Sequence, residues 1–146
     1  MLNMVWTEEH RIHIPRFDNE HRLLFGLLDE LADVENLPTA LQKQVHMQIL
    51  LQLQVAIESH FTSEETFMQE NAYPADLFEL HRKRHRSLVN DLQEFVDHYQ
   101  AYSMGLNPNM VAFLHEWLYR HIITEDRQMG EYFLKQGGGT LPPESG

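Results

Sequence analysis

Apolar residues recur along this chain at intervals of three, four and seven, the spacing of one face of an α-helix, and show no strand-like alternation. After an irregular arm to about Phe17, the stripe Leu24, Leu28 and Leu31 marks a first helix, opened by Asp18, a favoured N-cap, and closed by Asn36 and Pro38. A second runs from Pro38 or Thr39 to about Glu70, with Ile49, Leu53, Ile57 and Phe67 facing inward. Tyr73 and Pro74 open a third, proline being tolerated in a first turn, and Leu77, Leu88, Leu92 and Phe95 continue its core side. Gly105 followed by Asn107 and Pro108 supplies a stop and a new cap, so a fourth helix spans about Pro108 to Lys135 before a run of glycines ends it. Four amphipathic helices with short connections predict an all-α fold, an antiparallel up-down-up-down four-helix bundle with an irregular N-terminal arm. Residues 1–136 form the bundle domain in this reading, and 137–146 a flexible C-terminal tail with nothing to pack.

Composition narrows the class of partner. At 146 residues, 42% apolar and 23% charged, the chain has the length and balance of one globular domain. A net charge of −11 sets a repulsive field against nucleic acid and anionic lipid, and the dense basic run at 82–86 reads as a solvated helix side. The absence of cysteine removes disulfides, thiolate metal sites and cysteine nucleophiles together. With no leader-like N-terminus and no apolar run approaching the ~20 residues of a membrane span, the expectation is a soluble cytoplasmic chain. Ten histidines is the unusual figure.

Several of those histidines fall on the apolar stripes. His21 lies three and seven residues before Leu24 and Leu28; His60 follows Leu53 by seven, and Glu64 follows His60 by four. His81 and His85 sit between Leu77 and Leu92, and His121 follows Leu114 and Trp117 by seven and four. In an antiparallel bundle the start of the first helix, the end of the second, the start of the third and the end of the fourth share one end, so the stripes could meet there. A lone inward histidine is more often a satisfied core residue than a ligand. Five converging with Glu64 and Asp126, however, would strand polar groups at roughly 1–3 kcal/mol each unless metal takes them up. Seven donors exceed one tetrahedral zinc, and nitrogen-rich donors disfavour calcium and magnesium. Two ions bridged by carboxylates fit the count, with iron, manganese, copper and zinc all suited to such donors. His10, His13, His46, His98 and His115 are expected at the surface or in the arm.

Taken in order, "VW" in the arm, "FDNEH" ending at His21, "HFTSEE" from His60, "HRKRH" from His81 and "WLYRHIITED" from Trp117 resemble the hemerythrins, in particular the single-domain bacterial ones, over about Val5 to Phe133. Myohemerythrin is itself a standard example of the bundle topology expected above. The resemblance implies a non-haem pair of iron ions, bridged by an oxo or hydroxo group, that binds dioxygen reversibly. By the same resemblance His81, His85 and His121 hold one iron, His21 and His60 hold the other, which keeps an open position, and Glu64 and Asp126 bridge them. Helical spacing alone would prefer Glu125 to Asp126 as the partner of His121; the family motif favours Asp126. Leu24, Phe61, Trp117, Leu118 and Ile122 match the family's oxygen-pocket positions. Glu20 stands where the family often has glutamine, a change beside a ligand that removes none.

The function expected is therefore that of a dioxygen carrier, store or supplier and not an enzyme. The alternatives are a di-iron enzyme acting on oxygen, peroxide or nitric oxide, and an oxygen or iron sensor. Dioxygen is the partner implied; the identity of any oxygen-consuming enzyme that it serves is not encoded in these motifs. Ferritin-type oxidases use carboxylate-rich sites with Glu-x-x-His pairs, and no inward pair of that kind occurs here.

Overall fold

The structure, a computed structural model, describes residues 8–101 and 108–137. The rods form where the apolar spacing predicts them: α1 is Pro15–Asp33, α2 is Thr39–Glu70 and α3 is Ala75–Ala101. The fourth rod runs from α4 (Pro108–His121) through a π-helical turn (Ile122–Asp126) into α5 (Arg127–Gly137). α1 packs against α2 and α4, and α2 against α3, with no strand among the described residues. α2 and α3 pack together, and Leu50, Leu53 and Ile57 of the one and Leu88 and Leu92 of the other are all buried in the common core. Truncating any such leucine to alanine costs about 2–5 kcal/mol. Phe67, Leu77 and Phe95 sit at the margin of the stripe, only partly buried. The expected stop at Gly105 and Asn107, and the tail beyond Gly137, lie outside the described residues.

The first helix begins earlier than its sequence suggests. Pro15 occupies the first turn behind Ile14 as N-cap, and no side chain caps it. Asp18 is therefore a buried first-turn residue, not the cap. Its carboxylate reaches back to accept the Ile12 N–H at 2.8 Å, which pins the arm to the bundle. The arm then crosses α5 at Gly130, where an added Cβ would lie 2.9 Å from Ile12 Cβ and closer still to the Ile12 carbonyl, so only glycine admits the crossing. Arg127 adds a hydrogen bond to the Glu9 carbonyl. The arm thus lies along the fourth rod, beside the turn that carries Asp126.

At the same end, α2 stops in a Schellman turn. Ala72 takes the left-handed conformation at φ 56°, and the Tyr73 N–H returns to the Met68 carbonyl at 2.9 Å while Tyr73 and Met68 bury against the core. This abrupt stop sets the register in which Ala75 starts α3 and carries His81 and His85 inward. No described helix is long and apolar enough to cross a membrane.

Candidate metal centre

Seven side chains from every rod converge in the interior. His21 comes from α1, His60 and Glu64 from α2, His81 and His85 from α3, His121 from the last residue of α4 and Asp126 from the π-helical turn; each is at most 4% exposed. The four-residue pairs on α2 and α3 stack on one face by ordinary helix geometry. His121 and Asp126 are five apart, a spacing that an α-helix would spread around its circumference. A π turn bonds i to i+5 and restores both to one side. The Thr124 hydroxyl helps to hold the widened turn by donating to the Arg120 carbonyl at 2.7 Å.

The two carboxylates are shared between two sets of imidazoles. Glu64 Oε1 lies 3.1 Å from His85 Nε2 and 3.8 Å from His81 Nε2, whereas Oε2 lies 3.2 Å from His60 Nε2 and 3.4 Å from His21 Nε2. Asp126 divides the same way. Its Oδ1 is 2.8 Å from His81 Nε2 and 3.1 Å from His121 Nε2, and its Oδ2 is 3.0 Å from His21 Nε2. The donor atoms thus fall into one group of Glu64, His81, His85, His121 and Asp126 and a second of His21, His60, Glu64 and Asp126, each within 4.8 Å. Two donors about 2.1 Å from a common ion and at right angles would stand about 3.0 Å apart. Most of these separations have that length.

The protonation pattern also fits a cation. His60, His85 and His121 each present Nδ1 to a glutamate oxygen, at 2.6 Å to Glu20, 2.8 Å to Glu65 and 2.9 Å to Glu125. An ionised carboxylate only accepts, so each Nδ1 carries the proton and each Nε2 turns a lone pair toward the centre. Inside, the Nε2 atoms of His21, His60, His85 and His121, both oxygens of Glu64 and Oδ2 of Asp126 are buried without a hydrogen-bond partner. Lone pairs facing carboxylate oxygens repel unless protons or metal ions lie between them. In the metal-free chain the answer is protons. Burial alone would depress His60, but Glu64 and Glu20 prevail and push it up to about 10. Burial likewise opposes charge on His121, and Asp126 and Glu125 overcome it to reach about 9. Glu64 and Asp126 are held well below the usual carboxylate range because, although burial and their mutual repulsion work against it, the surrounding imidazoles outweigh both. The cluster stores positive charge that a metal can replace.

Leu24, Phe61, Trp117, Leu118 and Ile122 are all buried, and Phe61 stacks on the His85 ring with centroids 3.9 Å apart. Among the five remaining histidines, His98 is exposed and His13 and His115 are partly so; His10, in the arm as expected, is buried there, and His46 is buried, contrary to its expected surface placement. His10 packs edge-on against Phe25 and Tyr119 as the arm folds over α1 and α4. His46 lies three and seven residues before Ile49 and Leu53, on their stripe, and faces Tyr99; burial lowers its pKa despite a hydrogen bond that its ring donates to the Leu31 carbonyl, which works the other way. Its spacing was a legible signal. Glu65 and Glu125, by contrast, are partners of His85 and His121 that the apolar stripes do not point to; for Glu125 the four-residue interval from His121 is the available sign.

A buried cluster of histidines and carboxylates able to hold metal, set in a four-helix bundle, defines the class, and comparison with known proteins agrees. Residues 13–133 match the family described as the hemerythrin HHE cation binding domain. The chain is 28% identical over 131 residues to a bacteriohemerythrin of Methylococcus capsulatus, covering 89% of this chain and 96% of that one. It is also 28% identical over 117 residues to a myohemerythrin of Theromyzon tessulatum, covering 80% and 82% of the two chains. A crystal structure of wild-type hemerythrin superposes with a TM-score of 0.75 at 27% identity, over 88% of this chain and 95% of the other. This chain belongs to the hemerythrin family.

Proposed function

We propose that the cluster holds two iron ions and that the protein binds dioxygen reversibly, as a carrier, store or supplier. His81, His85 and His121, with Glu64 Oε1 and Asp126 Oδ1, would hold one ion. His21 and His60, with Glu64 Oε2 and Asp126 Oδ2, would hold the other. The observation that carries this reading is the division of both carboxylates between three imidazoles on one side and two on the other. The side with two imidazoles is one protein donor short, and that is where dioxygen would be taken up. When bound, the iron pair supplies the two electrons that dioxygen takes up and gives back on release.

The chain's own part is to hold the donors and to keep water out. Leu24, Phe61, Trp117, Leu118 and Ile122 are all buried and almost entirely hydrocarbon, and as the walls of an oxygen pocket they would disfavour loss of charged, reduced oxygen to solvent. Five imidazoles to two carboxylates also support binding over oxidation, because strongly anionic donor sets favour the ferric state. The test is to load the chain with iron, reduce it without air, admit air and then sparge with inert gas. Absorbance that appears and disappears over repeated cycles supports the reading; a single irreversible oxidation speaks for an oxidase or peroxidase.

A further inference from the structure

Three inward imidazoles are braced from behind by glutamates on three different elements: Glu20 of α1 on His60, Glu65 of α2 on His85 and Glu125 of the π turn on His121. Their side chains are 28%, 27% and 29% exposed, so each spans from solvent to a fully buried ring. They differ in how their charge is compensated. Glu20 also meets Arg16 Nε at 3.4 Å, and Glu125 meets Arg84 Nε at 3.5 Å. Glu65 has no such arginine partner among the described residues: Arg82 is engaged with Glu79 at 2.9 Å and acts on Glu65 only at longer range. Arg86 lines the same surface cavity of ≈ 340 Å³ as Glu65, Phe61 and His85 without closing an ion pair. Among the described residues His21 has no such brace, its Nδ1 being buried without a hydrogen-bond partner.

We propose that Glu20, Glu65 and Glu125 are positioning residues for the metal pair, and that Glu65, whose charge is least neutralised, is the dominant one. This rests on the metal assignment made above. Each carboxylate fixes the tautomer that points a lone pair at the ion, and each adds negative charge at the far edge of the ring. That charge makes Nε2 a stronger donor and favours the more highly charged oxidation state of the metal. Because Glu65 braces His85, the effect is concentrated on the three-imidazole ion.

The test compares the full iron-loaded chain with Glu65→Gln, Glu20→Gln and Glu125→Gln. Glutamine keeps an acceptor for the imidazole N–H and removes only the charge. Three quantities are read: the rate of iron transfer to excess chelator, the midpoint potential of the pair, and the melting transition of the metal-free chain. Glu65→Gln is expected to release iron faster by about 10–100-fold and to shift the midpoint positive, while the metal-free chain still melts in a single cooperative transition. Glu20→Gln and Glu125→Gln shift both in the same direction but less, and Glu65→Asp restores the potential toward wild type. A wild-type release rate and potential in Glu65→Gln overturn the inference, as do equal shifts in all three glutamine variants. If wild type takes up iron and cycles oxygen while Glu65→Gln behaves identically, only this inference falls; if wild type takes up no iron, the metal assignment falls with it.

Discussion

His121 Nε2 lies 3.1 Å from Asp126 Oδ1 although the residues are five apart, because the turn between them is π-helical. Glu125, at the ordinary helical interval, takes the other nitrogen of the same ring at 2.9 Å. The two acids therefore have different expected weights. Asp126→Asn should lose most bound iron, whereas Glu125→Gln should keep both ions with affinity lowered by no more than about tenfold. Metal content by elemental analysis after gel filtration checks this; loss of iron in the Glu125 variant alone would reverse the assignment.

Protons and metal compete for the same imidazoles. His60 at about 10 and His121 at about 9 in the metal-free chain lie above their ordinary 6.5, so iron uptake at neutral pH should expel protons. Calorimetry in buffers of different ionisation enthalpy counts them, and uptake without proton release would contradict the charge pattern. The sign for stability follows from the same shifts. A raised imidazole pKa contributes fully below about 6.5 and loses its contribution as pH rises through about 9 to 10, so the metal-free chain should melt at progressively lower temperature over that window.

Leu118 is 1% exposed and three residues before His121. Leu118→Asp brings charge and water to the cluster, and autoxidation should accelerate on the order of tenfold, the change for each ~1.4 kcal/mol removed from a barrier. Leu118→Thr, closer in size, should move the rate the same way. The decay of the oxygenated absorbance measures both, and unchanged rates would remove Leu118 from the oxygen pocket.

Ala72 holds a left-handed φ of 56° in the turn that ends α2. That conformation costs a non-glycine residue about 1–2 kcal/mol, partly offset by the larger entropy that glycine loses on folding. Ala72→Gly should therefore stabilise the chain by about 0.5–1 kcal/mol, read from denaturant midpoints. A destabilised variant would mean that the Ala72 methyl contributes packing the turn depends on.

The bundle was legible because helical periodicity is long and repeated: α2 spans Thr39–Glu70 as expected, and Leu24, Leu53, Leu88 and Leu114 all face the core as spaced. The inward histidines were legible as exceptions on those same stripes. Asp18 misled because it resembles a cap, while proline at 15 had already begun the helix and freed the carboxylate to hold Ile12. The π turn was not legible because no propensity marks it; only the off-period interval from His121 to Asp126 hinted at it. Glu65 stands off the inward stripe, and only the approach of α2 to α3 brings its carboxylate to the His85 ring.

The most direct test of the paired-cation assignment is a crystal structure of the iron-loaded chain with data collected at the iron absorption edge. Two anomalous peaks within about 4 Å of each other, both between the Glu64 and Asp126 carboxylates, are expected, one facing His81, His85 and His121 and the other facing His21 and His60. A single peak, or iron bound away from these carboxylates, would contradict it.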